Sequence, residues 1–426
     1  MASQLNPARL FILEDYMKYV RHAVLTVLVV CAFAARLAAQ SVVFVDDDHA
    51  QCGDALYTSI QPALNAVTTG GTVVVCPGVY PEQLRITRNV TVVGYPIGNA
   101  SAAIIRPTSA VPIVSFTGRS ITPVVIVKPV TGSLGSVTLV NLTIDGGGLA
   151  FAGCEPAAMG VYYGNSSGQM YALAVRNITN GPTQTGCQGG LGIYVQSGLA
   201  GTSTVTISNS TVHDYDKNGI TANEVGTNVT IRSNTITGLG DKTQAAQNGI
   251  QIGYGAKATI ESTGVTNHAW GGCTAEDCAY TASNILIYGA SNSSVRSNLL
   301  SRSQVNVAVQ SAPAFLANNN LITANLISDD LFDGVSVFDA NSNQVTNNLI
   351  NNSGEAGVFV DGTGNANTVS GNTIDEGTCG VLAPTNPVAA NTYYNTVTNV
   401  CLAAPTALKA SASNGGDQAK QVQPVR

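Results

Sequence analysis

Two acids stand just before Gly-Val strands on consecutive lines of this chain, Asp333 in "FDGVSV" and Glu355 in "GEAGVFV". If those lines stack as neighbouring strands about 4.8 Å apart, the carboxyls come within roughly 5 to 8 Å of each other. Two carboxylates that close repel when both are ionised, so one pKa rises and the pair offers an acid and a base at neutral pH. That chemistry suits a glycosidic bond, retaining or inverting according to the separation. Arg302, in "SRSQ", lies one line before Asp329, Asp330 and Asp333 and suggests another chemistry. A base beside acids that hold Ca²⁺ could take a proton from a uronate, as a lyase does. Ca²⁺ enters with that reading, or at Asp46 to Asp48, which could bind it, and no other cofactor is expected.

Other polar clusters read as structure. His213 opens "HDYDKNG" with Asp214 and Asp216 close by, a pattern that a polar turn explains. The run Asp46 to Asp48 reads as a charged approach to the first strand. No zinc-type Cys-x-x-Cys accompanies His268, so no metal site is expected there.

What positions the acids is a repeat. The Asn closing each short strand recurs at Asn209, Asn234, Asn298, Asn325, Asn348 and Asn372, at intervals of 25, 64, 27, 23 and 24. The long interval divides into 29 and 35 if Thr263, in "IESTGV", takes the missing Asn place. Asn141 and Asn177 extend the series backwards, and Asn395 ends it. A period of this length with short β-branched strands and Gly/Asn/Ser turns, and no long amphipathic stretch, specifies a β-solenoid. At each turn the Asn tolerates left-handed backbone and its amide bonds groups the turn leaves unpaired.

Strand alternation then sorts the faces. Ile193 and Val195, Val335 and Val337, and Val358 and Val360 point inward. The intervening places form an outward column that includes Tyr194, Gln251, Tyr288, Gln310, Phe338, Phe359 and Asp361. Aromatic faces stack on sugar C–H surfaces and amides bond hydroxyls, so the column suits a polysaccharide; a covering loop would make it satellite core instead. One coil, Thr263 to Ile285, is longer than its neighbours and carries the only Trp, Trp270. Such a departure often bears function.

Residues 1–40 read as a secretory signal, with Lys18 and Arg21 before the apolar run Ala23 to Ala35. Without them 15 basic and 23 acidic groups leave a net charge of −8, which excludes nucleic acid as an expected partner. No stable membrane insertion after cleavage is expected, and the chain should be a secreted or periplasmic monomer. Cys52, Cys76, Cys154, Cys187, Cys273, Cys278, Cys379 and Cys401 remain, an even number suited to disulfides. In an elongated repeat only sequence neighbours lie close, which predicts the pairs 52–76, 154–187, 273–278 and 379–401. From Pro405 to Arg426 the chain is patternless and reads as a disordered tail.

The segment "YTSIQPALNAVTTGGTVVVCPGVYPEQLRITRNVTVVG", Tyr57 to Gly94, resembles the opening of pectin-lyase-like right-handed parallel β-helix proteins. The resemblance implies an all-β, single-stranded right-handed parallel β-helix over residues 71–404. Before it, residues 41–70 would hold a first strand and a short capping helix at about Ile60 to Val67. The superfamily contains lyases, hydrolases, esterases and epimerases, so the fold alone does not fix an activity. Compared with polygalacturonases, Asp333 takes the place of the first acid and Glu355 lies one residue further out. Cys379 stands where such an enzyme carries His. The epimerase signature "DPHD" is absent, as are the "DF" and "QD" contexts of pectin methylesterases. The expectation is recognition of an extracellular polysaccharide, with or without cleavage. The competing readings are a glycoside hydrolase or polysaccharide lyase, and a structural or accessory periplasmic solenoid.

Overall fold

The computed structural model describes residues 41–426 except 182–185, 199, 243–244, 272–279, 362–363 and 402–423. The expected signal segment and the expected 273–278 pair therefore lie outside the described residues.

Two long sheets run the length of the molecule. The first has thirteen strands in sequence order, from Val42–Val45 through Thr72–Val75 and Val90–Gly94 to Val388–Ala389. The second has twenty strands, and every described strand pairing is parallel except that of Ile113–Val114 with Ser120–Val127. Each turn of chain contributes to both sheets and then steps on, which makes a parallel β-helix.

Registered side chains explain the stacking. Ile193, Ile220, Ile250, Ile285, Val307, Val335, Val358 and Val381 pair in one continuous column. All eight are fully buried. Each contributes about 1.5–3 kcal/mol by leaving water. Helix Ile60–Ala66 closes the first end, burying Ile60, Ala63 and Leu64. Its first amides are capped from outside, because Glu82 accepts from the Ile60 and Gln61 N–H groups at 2.5 and 2.8 Å.

The Asn ladder is present, one residue out of phase at its start. Asn298, Asn325, Asn348 and Asn372 each donate Nδ2–H to the Oδ1 of the next Asn at 2.9–3.0 Å, ending at Asn391. Thr263 takes the missing place, donating its N–H to Asn298 Oδ1 at 3.0 Å and accepting from the Asn234 N–H. The left-handed residue is the one before the ladder position, as at Asn209 (φ 52°) and Asn347 (φ 56°). Asn209 is therefore the turn residue and Ser210 the ladder member, its N–H bonded to Asn234 Oδ1 at 3.0 Å. Asn395 likewise lies outside the ladder, bonded to Asp375. A second ladder, Asn320, Asn343, Asn367 and Asn386, lines another turn.

Disulfides join Cys52–Cys76, Cys154–Cys187 and Cys379–Cys401, with Cα separations of 6.3, 4.9 and 6.2 Å. The end of the expected disordered tail is a departure: Pro424 to Arg426 are ordered against the β-helix, with Val425 buried.

Candidate functional site

Each coil of the second sheet bends at a left-handed residue. Arg302, Asp329, Asn352 and Glu376 occupy that bend on four successive coils, with φ of 53°, 56°, 56° and 59°. Asp and Asn tolerate this backbone best, and Arg302 and Glu376 adopt it as well. Asn352 reaches back to donate to Asp329 Oδ1 at 3.0 Å.

One step past the bend, Asp330 lies in register between Ser303 and Ser353. It is buried, accepts from Asn306 Nδ2 on Oδ1, and accepts from Ser353 Oγ at 3.1 Å on Oδ2. Burial pushes its carboxyl well above the usual range. The Ser353 and Asn306 bonds pull it back, whereas the nearby Asp333 and Asp329 charges push it further up. Asp333, only 7 % exposed, pairs with Val305 before it and Ala356 after it. Glu355 is half-buried, one residue ahead of that register. The strands thus bring Asp329, Asp330, Asp333 and Glu355 to one edge, with the exposed Arg302 one coil earlier.

A line of buried polar side chains leads to Asp330. Tyr215 Oη donates to His268 Nε2 at 2.5 Å, and His268 Nδ1 bonds Asn284 Oδ1 at 2.6 Å. Asn284 Nδ2 donates to Asn306 Oδ1, and Asn306 Nδ2 to Asp330. Burial lowers the His268 pKa to about 4, against a smaller opposite effect of Asn284, so the ring is neutral. A neutral ring with Nδ1–H and an accepting Nε2 fits both partners. Asn284 and Asn306 stand where neighbouring coils have Gly249, Gly334 and Gly357. This exchange of Gly for Asn is the sequence signal that would have revealed the line, and with it Asp330.

The outward column divides. Tyr194 and Gln251 are buried, whereas Tyr288, Gln310, Phe338 and Phe359 are half-buried, and Asp361 is 5 % exposed. Tyr288 packs on Leu286, Val305, Ala308 and Phe332, and Phe359 on Ala356, Cys379, Leu382 and Cys401. Both aromatics are therefore part satellite core. Trp270 ends strand Gly264–Trp270, edge-on to Tyr280 at 5.7 Å, with its N–H bonded to Gln304 Oε1 at 3.0 Å. His213 bonds Asp214 at 2.6 Å on a left-handed bend, and Asp216 accepts from the Asn180 N–H. These are turn roles. Oxygens of Asp46, Asp47 and Asp48 lie within 4.8 Å of one another, but each accepts a backbone N–H, from Cys52, Val79 and Ala50.

Residues 198–397 match a family model described as "Right handed beta helix region". No curated protein matches the chain. Among solved structures, a GH136 lacto-N-biosidase from Eubacterium ramulus is similar at 11 % identity and a TM-score of 0.56, covering 85 % of this chain and 68 % of its own. The Dettilon tailspike protein is similar at 15 % identity and a TM-score of 0.54, covering 83 % and 68 %. At such identities the likeness is one of fold.

Proposed function

We propose that this chain, whose fold is a right-handed parallel β-helix, recognises an extracellular polysaccharide along the edge formed by Asp329, Asp333, Glu355 and the neighbouring half-buried aromatics. What supports this reading is the placement of Asp329, Asp333 and Glu355 on two adjacent coils, at strand positions in or next to one register. From residue 297 to 401 the chain has one basic residue, Arg302, against eight acidic ones. That field disfavours a polyuronate unless cations bridge it, and favours neutral or amino sugars. One neighbour in fold bears the name of a saccharide-cleaving enzyme, lacto-N-biosidase, which supports the substrate class. Three disulfides support an oxidising compartment, hence a secreted or periplasmic location.

A second reading, cleavage of that polysaccharide, is favoured by Asp330. Burial pushes the Asp330 carboxyl up, and Asp333 lies close enough for its charge to add to that rise. Asp333 and Glu355 would flank the bond as the acid–base pair. Incubation of the purified protein with a panel of neutral, amino and uronic polysaccharides, with and without Ca²⁺, separates the cases. New reducing ends on a neutral or amino glycan mark hydrolysis. Retention without turnover marks binding alone. A new C=C absorbance with a polyuronate and Ca²⁺ would move the assignment to a lyase and Arg302.

A further inference from the structure

The last three residues of the chain lie on the outward face of strands Leu191–Gln196, Asn218–Asn223 and Asn248–Gly253, several coils before the acidic edge. Val425 is 1 % exposed, in an apolar cluster with Ile126, Met159, Tyr162, Leu191 and Tyr194. One side chain clamps its backbone from both sides. Its N–H donates to Gln251 Oε1 at 2.8 Å, and its carbonyl accepts from Gln251 Nε2 at 2.7 Å. Asn223 Nδ2 donates to the same carbonyl at 2.5 Å.

These amides are fixed by their neighbours as well. Gln251 Nε2 also donates to Asn223 Oδ1 at 3.0 Å, and Asn218 Nδ2 donates to Gln251 Oε1 at 3.1 Å. All three side chains are fully buried. Together they present two amide donors and one acceptor to the Val425 backbone in a fixed arrangement.

Arg426 is recognised separately. Its Nε and Nη2 donate to the two Glu224 oxygens at 3.0 and 3.3 Å, the planar fork that a lysine cannot form. Its guanidinium lies 4.9 Å from the Tyr254 ring centre and 5.8 Å from that of Phe315. Beyond it a cavity of about 660 Å³ continues between Arg119, Glu155 and Glu224.

A backbone clamp, an apolar pocket and a forked carboxylate with aromatic walls make a complete recognition set. We propose that this face is a peptide-binding site selective for an extended aliphatic–arginine segment, and that the chain fills it with its own Val425–Arg426. Occupation within one molecule is within reach. Six strand steps, about 29 Å, separate the last strand, Thr392–Cys401, from Asn248–Gly253. Residues 402–423 can span up to about 70 Å. The inference does not depend on the polysaccharide reading.

The test uses the full chain carrying Val425→Asp and Arg426→Glu, which empties the site by changes confined to the bound segment rather than to the coils. The probe is acetyl-Pro-Val-Arg-amide, followed by calorimetry. The emptied chain should bind it, and the unchanged chain should bind it at least about tenfold more weakly, because its own segment competes at high effective concentration. Glu224→Gln in the emptied chain, or Lys for Arg in the probe, should weaken binding by about tenfold or more. Hydrogen exchange supplies a second readout, with the Val425 amide slowed in the unchanged chain and released by Gln251→Ala. Equal binding by emptied and unchanged chains would overturn the proposal, as would a Val425 amide that exchanges as fast as in the free peptide.

Discussion

Asn306 and Asp330 meet inside the β-helix, the amide of one coil donating to the carboxyl of the next. Asn306 stands at the register position that Gly334 and Gly357 fill on the following coils. The Asn departs from the glycine pattern and leads to the most perturbed acid of the edge. Asn306→Gly should therefore cost stability although it restores the repeat, by about 1–3 kcal/mol for the buried partners left unsatisfied. Chemical denaturation measures this. A variant as stable as the parent would show that the buried line contributes nothing.

His268 and Asp145 should each destabilise the protein as pH falls, against the opposite contribution of Asp330, whose raised pKa favours the folded chain on acidification. The folded-state pKa of His268 is about 4, below its ordinary 6.5, so the unfolded chain takes up the proton first. Stability is fully present above about pH 6.5 and falls as pH drops towards 4, by about 3 kcal/mol. Asp145 acts lower. Burial alone would raise its pKa, but Asn177, Arg106, the Gly147 N–H and Arg176 outweigh that and bring it to about 2. Its contribution is present above about pH 3.8 and is lost as pH falls through about 2. Melting temperatures measured against pH should show His268→Gln removing the upper step and keeping the lower one.

Lys217 carries a dependence of the same sign into the alkaline range. It is fully buried, its ammonium donates to the Ala246 carbonyl, and burial lowers its pKa from 10.5 to about 7. Between those values the unfolded chain binds more protons, so stability should rise as pH increases from about 7 to 10.5. Lys217→Met should flatten that rise. A variant that kept the full slope would place its origin elsewhere.

The solenoid was legible because its signal repeats. Thr263 could be assigned to an Asn place from interval lengths alone, and the Cys52–Cys76, Cys154–Cys187 and Cys379–Cys401 pairs followed from neighbour geometry. The phase of the turn was less legible. In a line such as "TNN", Asn347 and Asn348 both suit the bend, and only backbone angles tell the left-handed residue from the ladder member. Of the acidic edge, Asp333 and Glu355 were readable from their place before a Gly-Val strand. Asp330 was readable as an acid beside Arg302, but its burial was not, because that depends on Asn306 and Ser353 of adjoining coils. The contact of Val425 with Gln251 spans 174 residues and follows no period.

The two half-buried aromatics test whether the contact surface extends beyond the acids. Tyr288→Ala and Phe359→Ala should each weaken polysaccharide retention by about tenfold, if each ring contributes the 1–2 kcal/mol usual for an anchoring aromatic. Each should also lower the melting temperature modestly, since each ring covers a small apolar cluster. A fall in stability with unchanged retention would leave them purely structural.

The most direct measurement is retention of the unchanged protein and of Asp333→Asn with Glu355→Gln on insoluble neutral and amino-sugar polysaccharides, beside a polyuronate without Ca²⁺. Asn and Gln keep the shape of the acids and remove their charge. The unchanged protein should be retained on a neutral or amino glycan and not on the polyuronate, and the double variant should lose at least about tenfold in affinity, as expected for losing charge-assisted bonds. Equal retention of the two proteins on every glycan would contradict the assignment of this edge as the polysaccharide contact.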